Sequence, residues 1–354
     1  MKKLNVGIVG LGWPGQRHAE GILASNTGAL YACADTSEQR RADFAKQFAP
    51  QKIFETQEEM LADPALDAVV TCLPNFLHFP SVLAALEAGK HVFCEKPPTL
   101  NAAEMRVLQE ESAKRGLVYF FGRQARFSGA MLAAKQLVAD GRLGAAYFGK
   151  TVFIRSRGIP HGIGGWFTDK SRSGGGALID LGVHAIDSIW FLMGAPRPIS
   201  VSAQVFQNFK SHVNLPVFDV DDGAYGMIRF ENGAVVQFEV SWAANLTDDL
   251  PASNAYGREL INTTLYGPRA TIRLNPLALF EDQNGQPVKV EISPELLPKG
   301  AANPFALQMQ NFLDAIAGKA EPINSAQQAV YLMEMLDAIY TSSASGREVP
   351  LATA

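Results

Sequence analysis

Leu4-Asn-Val-Gly-Ile-Val-Gly-Leu-Gly-Trp-Pro-Gly15 sets a short apolar strand, Leu4 to Val9, before a glycine-rich turn and a helical run to about Leu23. Gly10, Gly12 and Gly15 permit a tight turn and a close backbone approach to a pyrophosphate, whose charge then meets the helix N-terminus. Bare G-x-G-x-x-G spacing is common by chance; directly after a strand near the N-terminus it carries far more weight. Trp13 and Pro14 fill the turn and share its expected contact with a dinucleotide. A second strand, Ala29 to Ala34, ends at Asp35, twenty-five positions after Gly10, where a carboxylate binds adenosine ribose hydroxyls. Asp35 can also cap the helix expected over Ser37 to Phe48, and the two roles are compatible. Its charge repels a 2′-phosphate and so favours NAD, while Thr36, Ser37, Arg40 and Arg41 leave NADP possible.

The alternation of strand and helix continues. Asp67 to Leu73 reads as a buried strand ending in Pro74-Asn75, and His78 opens a helix to Ala88 that Gly89 stops. Lys90 to Cys94 forms another strand and delivers Glu95-Lys96-Pro97-Pro98 at its carboxyl end. Ligands of a doubly wound sheet bind beyond those ends, so Lys96 is expected at the cofactor crevice, although most loop lysines are merely solvated. Pro74, Asn75, His78 and Glu95 join it as expected cofactor neighbours. His18 and His78 each open a helix and are structural or near the cofactor. A helix over Asn101 to Gly116 and a strand over Val118 to Phe121 close this domain before Arg123.

Beyond Arg123 the pattern turns β-rich. A helix from Gly129 to Gly141 precedes strands over Tyr147 to Ser156, Val201 to Phe209, Gly223 to Phe230 and Val235 to Ser241, the last two joined by an Asn232-Gly233 turn. Strands near Leu260 to Tyr266 and Ala270 to Leu274 and helices over Pro304 to Ala317 and Ser325 to Ser343 follow. The 354 residues suit about two domains. These are a dinucleotide-binding domain over 1–122 and a substrate-binding and oligomerisation domain over 123–354. The fold class expected is α/β: an N-terminal Rossmann doubly wound parallel sheet, then a C-terminal α+β domain with a large open, mainly antiparallel sheet.

Apolar residues make up 47% and charged residues 19%, enough for large cores. A net charge of −4 without a long basic run excludes nucleic acid as an expected partner. Cys33, Cys72 and Cys94 lie in apolar strand-like runs and read as reduced core residues. No run approaches a membrane span and the N-terminal apolar stretch is too short for a signal peptide, so a cytoplasmic protein is expected.

Ser173-Gly-Gly-Gly-Ala-Leu-Ile-Asp-Leu-Gly-Val-His-Ala-Ile-Asp187 sends three glycines into an amphipathic pattern with Leu178, Leu181, Ile186 and Ile189 on the buried face. Asp180 and His184, at i and i+4, share one face of a regular helix, so the carboxylate can orient the imidazole or both can reach one cleft. Alone, the pair is a weak signal. Just upstream, Arg155, Arg157, His161, Trp166 and Phe167 form a segment able to wall a sugar site, and Arg123 is a further candidate. Asp219, Asp221 and Asp222 read more simply as a polar strand entry than as a metal cluster, and no zinc spacing occurs. No metal is expected.

The Gly10/Gly12/Gly15 turn, Pro74-Asn75-xx-His78, the run from Gly89 to Pro97 and the Gly174 to His184 helix together resemble the Gfo/Idh/MocA oxidoreductases across nearly the whole chain. The resemblance implies a catalytic Lys96, Asp180 and His184 and hydride transfer between NAD(P) and a secondary alcohol of a sugar, glycoside or cyclic polyol. It also implies a homodimer or homotetramer. A histidine can take the hydroxyl proton because its unperturbed pKa lies near neutrality, and a lysine can stabilise the alkoxide; lysine as proton relay is the alternative. Two other functions fit the same motifs. An NAD-dependent glycoside-cleaving hydrolase would release an aglycone without net NADH, and a non-catalytic dinucleotide-binding regulator would have no need of all three polar residues.

Overall fold

The computed structural model describes residues 3–160, 165–246, 252–253, 257–297 and 303–351. Packing divides the chain into two units, Met1–Phe127 with Ala302–Val330, and Ser128–Ala301 with Tyr331–Ala354.

The first unit holds six parallel strands, β1 (Leu4–Val9), β2 (Gly28–Ala34), β3 (Lys52–Phe54), β4 (Ala68–Thr71), β5 (His91–Cys94) and β6 (Tyr119–Phe121), in the order β3-β2-β1-β4-β5-β6. That is the doubly wound order of dinucleotide-binding folds. Val6, Ile8, Val69 and Val70 are fully buried because crossover helices cover both faces of such a sheet. The helix Glu38–Phe48 is capped by Ser37, whose hydroxyl accepts from Arg40 N–H, rather than by Asp35. β3 and the helix Gln57–Leu61 went unread in the sequence: three half-exposed residues and a one-turn helix carry no periodicity.

The helix Pro304–Ile316 completes this unit, although the sequence grouped it with the second domain. Met309, Phe312 and Leu313 enter the core of Ile8, Ile22, Phe93 and Phe120. At Gly21 a Cβ would lie 3.0 Å from the Phe305 carbonyl oxygen, so the absence of a side chain lets the two helices close up. Asn324 donates to the Phe121 carbonyl at 2.8 Å, and buried Arg126 donates to Ile323 O at 2.9 Å. An amphipathic pattern shows that a helix is covered, not what covers it.

The second unit is built on β7 (Phe148–Arg155), β8 (Pro198–Phe206), β9 (Gly223–Phe230), β10 (Val235–Ser241), β11 (Ala252–Ser253), β12 (Gly257–Tyr266), β13 (Ala270–Leu274), β14 (Leu277–Gln283), β15 (Gln286–Val290) and β16 (Val349–Pro350). They form one ten-stranded sheet in the order β15-β14-β13-β12-β7-β10-β9-β8-β16, with β11 on β12. Every pairing is antiparallel except β7 with β10. β14 and β15 extend the expected sheet; Asn284-Gly285, both at positive φ, is the hairpin signal that joins them.

One sheet face is covered by the helix Val183–Leu192. A Cβ on Gly149 of β7 would approach Ile189 to 2.7 Å, and Thr151 donates to the Ala185 carbonyl at 3.1 Å. Among the described residues one helical run, Lys170–Leu192, is long and apolar enough to cross a membrane, and it is 78% buried within the protein. Its apolarity is that of a core helix.

Candidate active site

In the first unit the glycine turn fits a nucleotide for steric reasons. Gly10 has φ +85°, and a Cβ there would lie 2.3 Å from the Cys72 carbonyl oxygen at the end of β4. On Gly15 a Cβ would lie 2.3 Å from the Gly10 carbonyl oxygen, so the helix Trp13–Ala24 can start this close to the turn only with glycine there. Gly12 caps that helix without any side-chain hydrogen bond, leaving the first N–H groups to a ligand. A cavity of about 510 Å³ opens here, lined by Gly10, Gly12, Asp35, Thr36, Arg40 and Pro74.

Asp35 sits at the cavity edge. Its carboxylate accepts from Leu11 N–H and Ser37 N–H, both at 2.9 Å, and the Arg40 guanidinium lies 3.7 Å away. Lone pairs remain for ribose hydroxyls. Trp13, 63% exposed, stands edge-on to Phe305 with centroids 5.8 Å apart, and Pro14 occupies the first helical turn. Asn75 is buried.

His78 lies inside the wall. Nδ1 is 2.6 Å from Pro97 O and Nε2 is 2.7 Å from Leu73 O, so one ring ties the loop after β4 to the loop after β5. Burial lowers its pKa, against the pull of the two carbonyls toward the doubly protonated ring. At the end of β5, Glu95 accepts from buried His18 at 2.7 Å and from Lys96 N–H at 3.0 Å. Burial alone would raise the Glu95 carboxyl; His18 and Lys96 hold it below its ordinary value. Lys96 therefore leaves the strand from a fixed acidic anchor. Arg123, offered by the sequence as a substrate contact, is fully buried, and its backbone N–H donates to Gln308 Oε1 at 3.2 Å.

In the second unit two of the three glycines, Gly175 and Gly176, act as a docking surface. Asp221 accepts from Gly176 N–H and Leu178 N–H at 2.8 Å each and from the Tyr340 hydroxyl at 2.7 Å, and its carbonyl takes Ala177 N–H at 3.0 Å. A Cβ would lie 1.8 Å from Asp221 O at Gly176 and 1.9 Å from the Tyr340 hydroxyl at Gly175. Read from sequence, Asp221 was only a polar strand entry; a carboxylate forty-odd residues from the helix it caps leaves no local signal.

Leu178–Gly182 winds as a π turn before the α-helix Val183–Leu192. The regular i, i+4 geometry expected for Asp180 and His184 is thereby replaced by a wider turn, a feature frequent at functional sites. Both side chains are half-buried. Asp180 accepts from the Trp242 indole N–H at 2.9 Å and lies 3.5 Å from the Arg155 guanidinium, whose Nε donates to Glu259 at 2.7 Å. Trp242 and Glu259 were not singled out in the sequence, since each sits in an ordinary strand-like run. Arg157 donates to Ala244 O at 3.0 Å and to Asn245 at 2.8 Å. The Trp166 and Phe167 rings stack with centroids 4.0 Å apart. His161 lies outside the described residues.

Residues 4–123 match the oxidoreductase family with an NAD-binding Rossmann fold, and residues 131–273 match the GFO/IDH/MocA C-terminal domain. The chain belongs to the Gfo/Idh/MocA family. It is similar to D-glucoside 3-dehydrogenase of Escherichia coli (strain K12), 29% identical with 98% of this chain and 97% of the relative covered. Myo-inositol 2-dehydrogenase of Thermotoga maritima is 32% identical over 67% of this chain and 71% of its own. The structure of levoglucosan dehydrogenase in complex with NADH superposes with a TM-score of 0.86 at 23% identity, covering 100% of both chains.

As a Gfo/Idh/MocA protein the chain is an oxidoreductase with NAD as cofactor. Among the described residues no group of three or more His, Cys, Asp or Glu is placed to hold a metal ion. The glycine docking yields a direct test. Gly176→Ala forces a methyl into the Asp221 backbone and should lower unfolding free energy by about 3 kcal/mol or more, the upper range for overpacking. Urea unfolding measures this, and an unchanged midpoint would show that Asp221 does not seat there.

Proposed function

We propose that the protein oxidises a ring carbon bearing a secondary hydroxyl of a sugar, glycoside or cyclic polyol, with NAD as hydride acceptor. The observation that carries this reading is the fixed carboxylate of Asp180, held by Trp242 and Arg155 on the wide turn that leads into the helix of His184. The named activities of the E. coli and T. maritima relatives support the substrate class. The stacked Trp166 and Phe167 suit the apolar C–H face of a sugar ring.

The roles follow from residue chemistry. His184 takes the hydroxyl proton, Lys96 stabilises the developing alkoxide, and Asp180 accepts a neighbouring substrate hydroxyl and so fixes which carbon reacts. Gly10, Gly12 and Gly15 give the pyrophosphate its backbone approach, and Asp35 binds the adenosine ribose. Bound NAD supplies the hydride acceptor. A panel of glycosides, inositols and short hydroxy acids, followed by NADH absorbance with NAD and NADP in parallel, tests the assignment. Cyclic polyols and NAD should be preferred; turnover of hydroxy acids alone, or a clear NADP preference, would overturn it.

Lys96→Ala and His184→Ala should each cut kcat by roughly two to four orders of magnitude, the scale of a lost acid–base or electrostatic catalyst. Their combined loss should fall well short of the product. Calorimetry should find NAD affinity intact in His184→Ala; if kcat survives either substitution, the roles are wrong.

The outer sheet face, where Phe206 and Met227 are 40% and 42% exposed beside Tyr225, supports a homodimer or homotetramer packed through it. Light scattering should give a multiple of the chain mass, and a strict monomer at working concentration would refute this. The free cysteines support a cytoplasmic location.

A further inference from the structure

Arg155, half-buried at the end of β7, and Arg157, exposed two residues on, both spend hydrogen bonds on the protein's own groups. Arg155 of β7 stands directly opposite Glu259 of β12, with Nε 2.7 Å from Glu259 Oε1 and Nη1 3.5 Å from Asp180 Oδ2. The three side chains are 11%, 22% and 14% exposed, so they are screened by solvent only in part. Arg157 is turned onto the Ser156 and Ala244 carbonyls and Asn245. One guanidinium thus serves two carboxylates, and Trp242 N–H holds one of these in place.

We propose that this cluster selects uncharged glycosides over uronates and phosphorylated sugars, with Glu259 as the specificity-determining residue. The inference rests on the reading above that substrate docks beside Asp180. An anionic substituent arriving there meets two carboxylates and finds the planar fork of Arg155 already engaged, so the water it sheds is not replaced. Sugar hydroxyls are donors as well as acceptors, and a neutral donor meets carboxylate oxygens at no such cost. Selectivity here comes from a repulsive element against the wrong substrate, not from an extra contact with the right one.

The test compares kcat/KM for an alkyl β-D-glucoside and the matching β-D-glucuronide, which differ only at the carbon bearing the carboxylate. The wild type should favour the glucoside by roughly a hundredfold, the scale of one like-charge contact in a partly screened cleft. Glu259→Gln should narrow that ratio at least about tenfold, mainly through the glucuronide KM, while Glu259→Asp, which keeps the charge, should retain it. Equal wild-type turnover of the two would overturn the selectivity alone, as would an unmoved ratio in folded Glu259→Gln. If no glycoside or polyol is oxidised at all, the function falls and the selectivity with it. The wild-type ratio decides even where a variant fails to fold.

Discussion

A single buried carboxylate fixes the polar turn of the second unit. Asp221 caps the start of the helix that carries Asp180 and His184, taking Gly176 N–H, Leu178 N–H and the Tyr340 hydroxyl at once. Burial raises its pKa, and those donors oppose the rise. Buried carboxylates are costly unless so satisfied, and the helix N-terminus is a favourable place for one. Contact this close is possible only where Gly175 and Gly176 present no side chains. The position of Asp180 therefore depends on a residue that is far off in sequence and has no chemistry of its own.

The elements with strong period were legible from sequence. β1, β9, β10 and β13 run between the residues expected, because an apolar or alternating run with a glycine near at least one end marks each of them. Gly10 and Asp35 were read as neighbours of one ligand, and both line the same cavity. What stayed hidden was pairing over distance. Nothing in the run Gly257 to Tyr266 marks Glu259 as the partner of Arg155, and nothing near Trp242 marks its indole as the support of Asp180. Nor does the sequence mark the π turn that replaces regular helical spacing where Asp180 sits.

Charge is economically placed in both units. Glu95 anchors the strand end before Lys96 and is itself held by His18, while Arg155 divides itself between Asp180 and Glu259. Asp180, Arg155 and Glu259 thus orient one another. Long side chains lose less freedom on binding when neighbours have already ordered them. The arrangement suits a reaction that needs positioned protons more than net charge.

The return of residues 302–330 to the first unit has a bearing on how the protein is made. Domains usually fold as they leave the ribosome, N-terminal part first. Here the sheet from Leu4 to Phe121 emerges early, yet Met309, Phe312 and Leu313 of its core arrive only after β7 to β15 of the second sheet have been synthesised. Until then Ile22, Phe93 and Phe120 lack part of their cover. Nascent chains thus leave part of that apolar core uncovered for roughly half of translation, the kind of surface that chaperones shield.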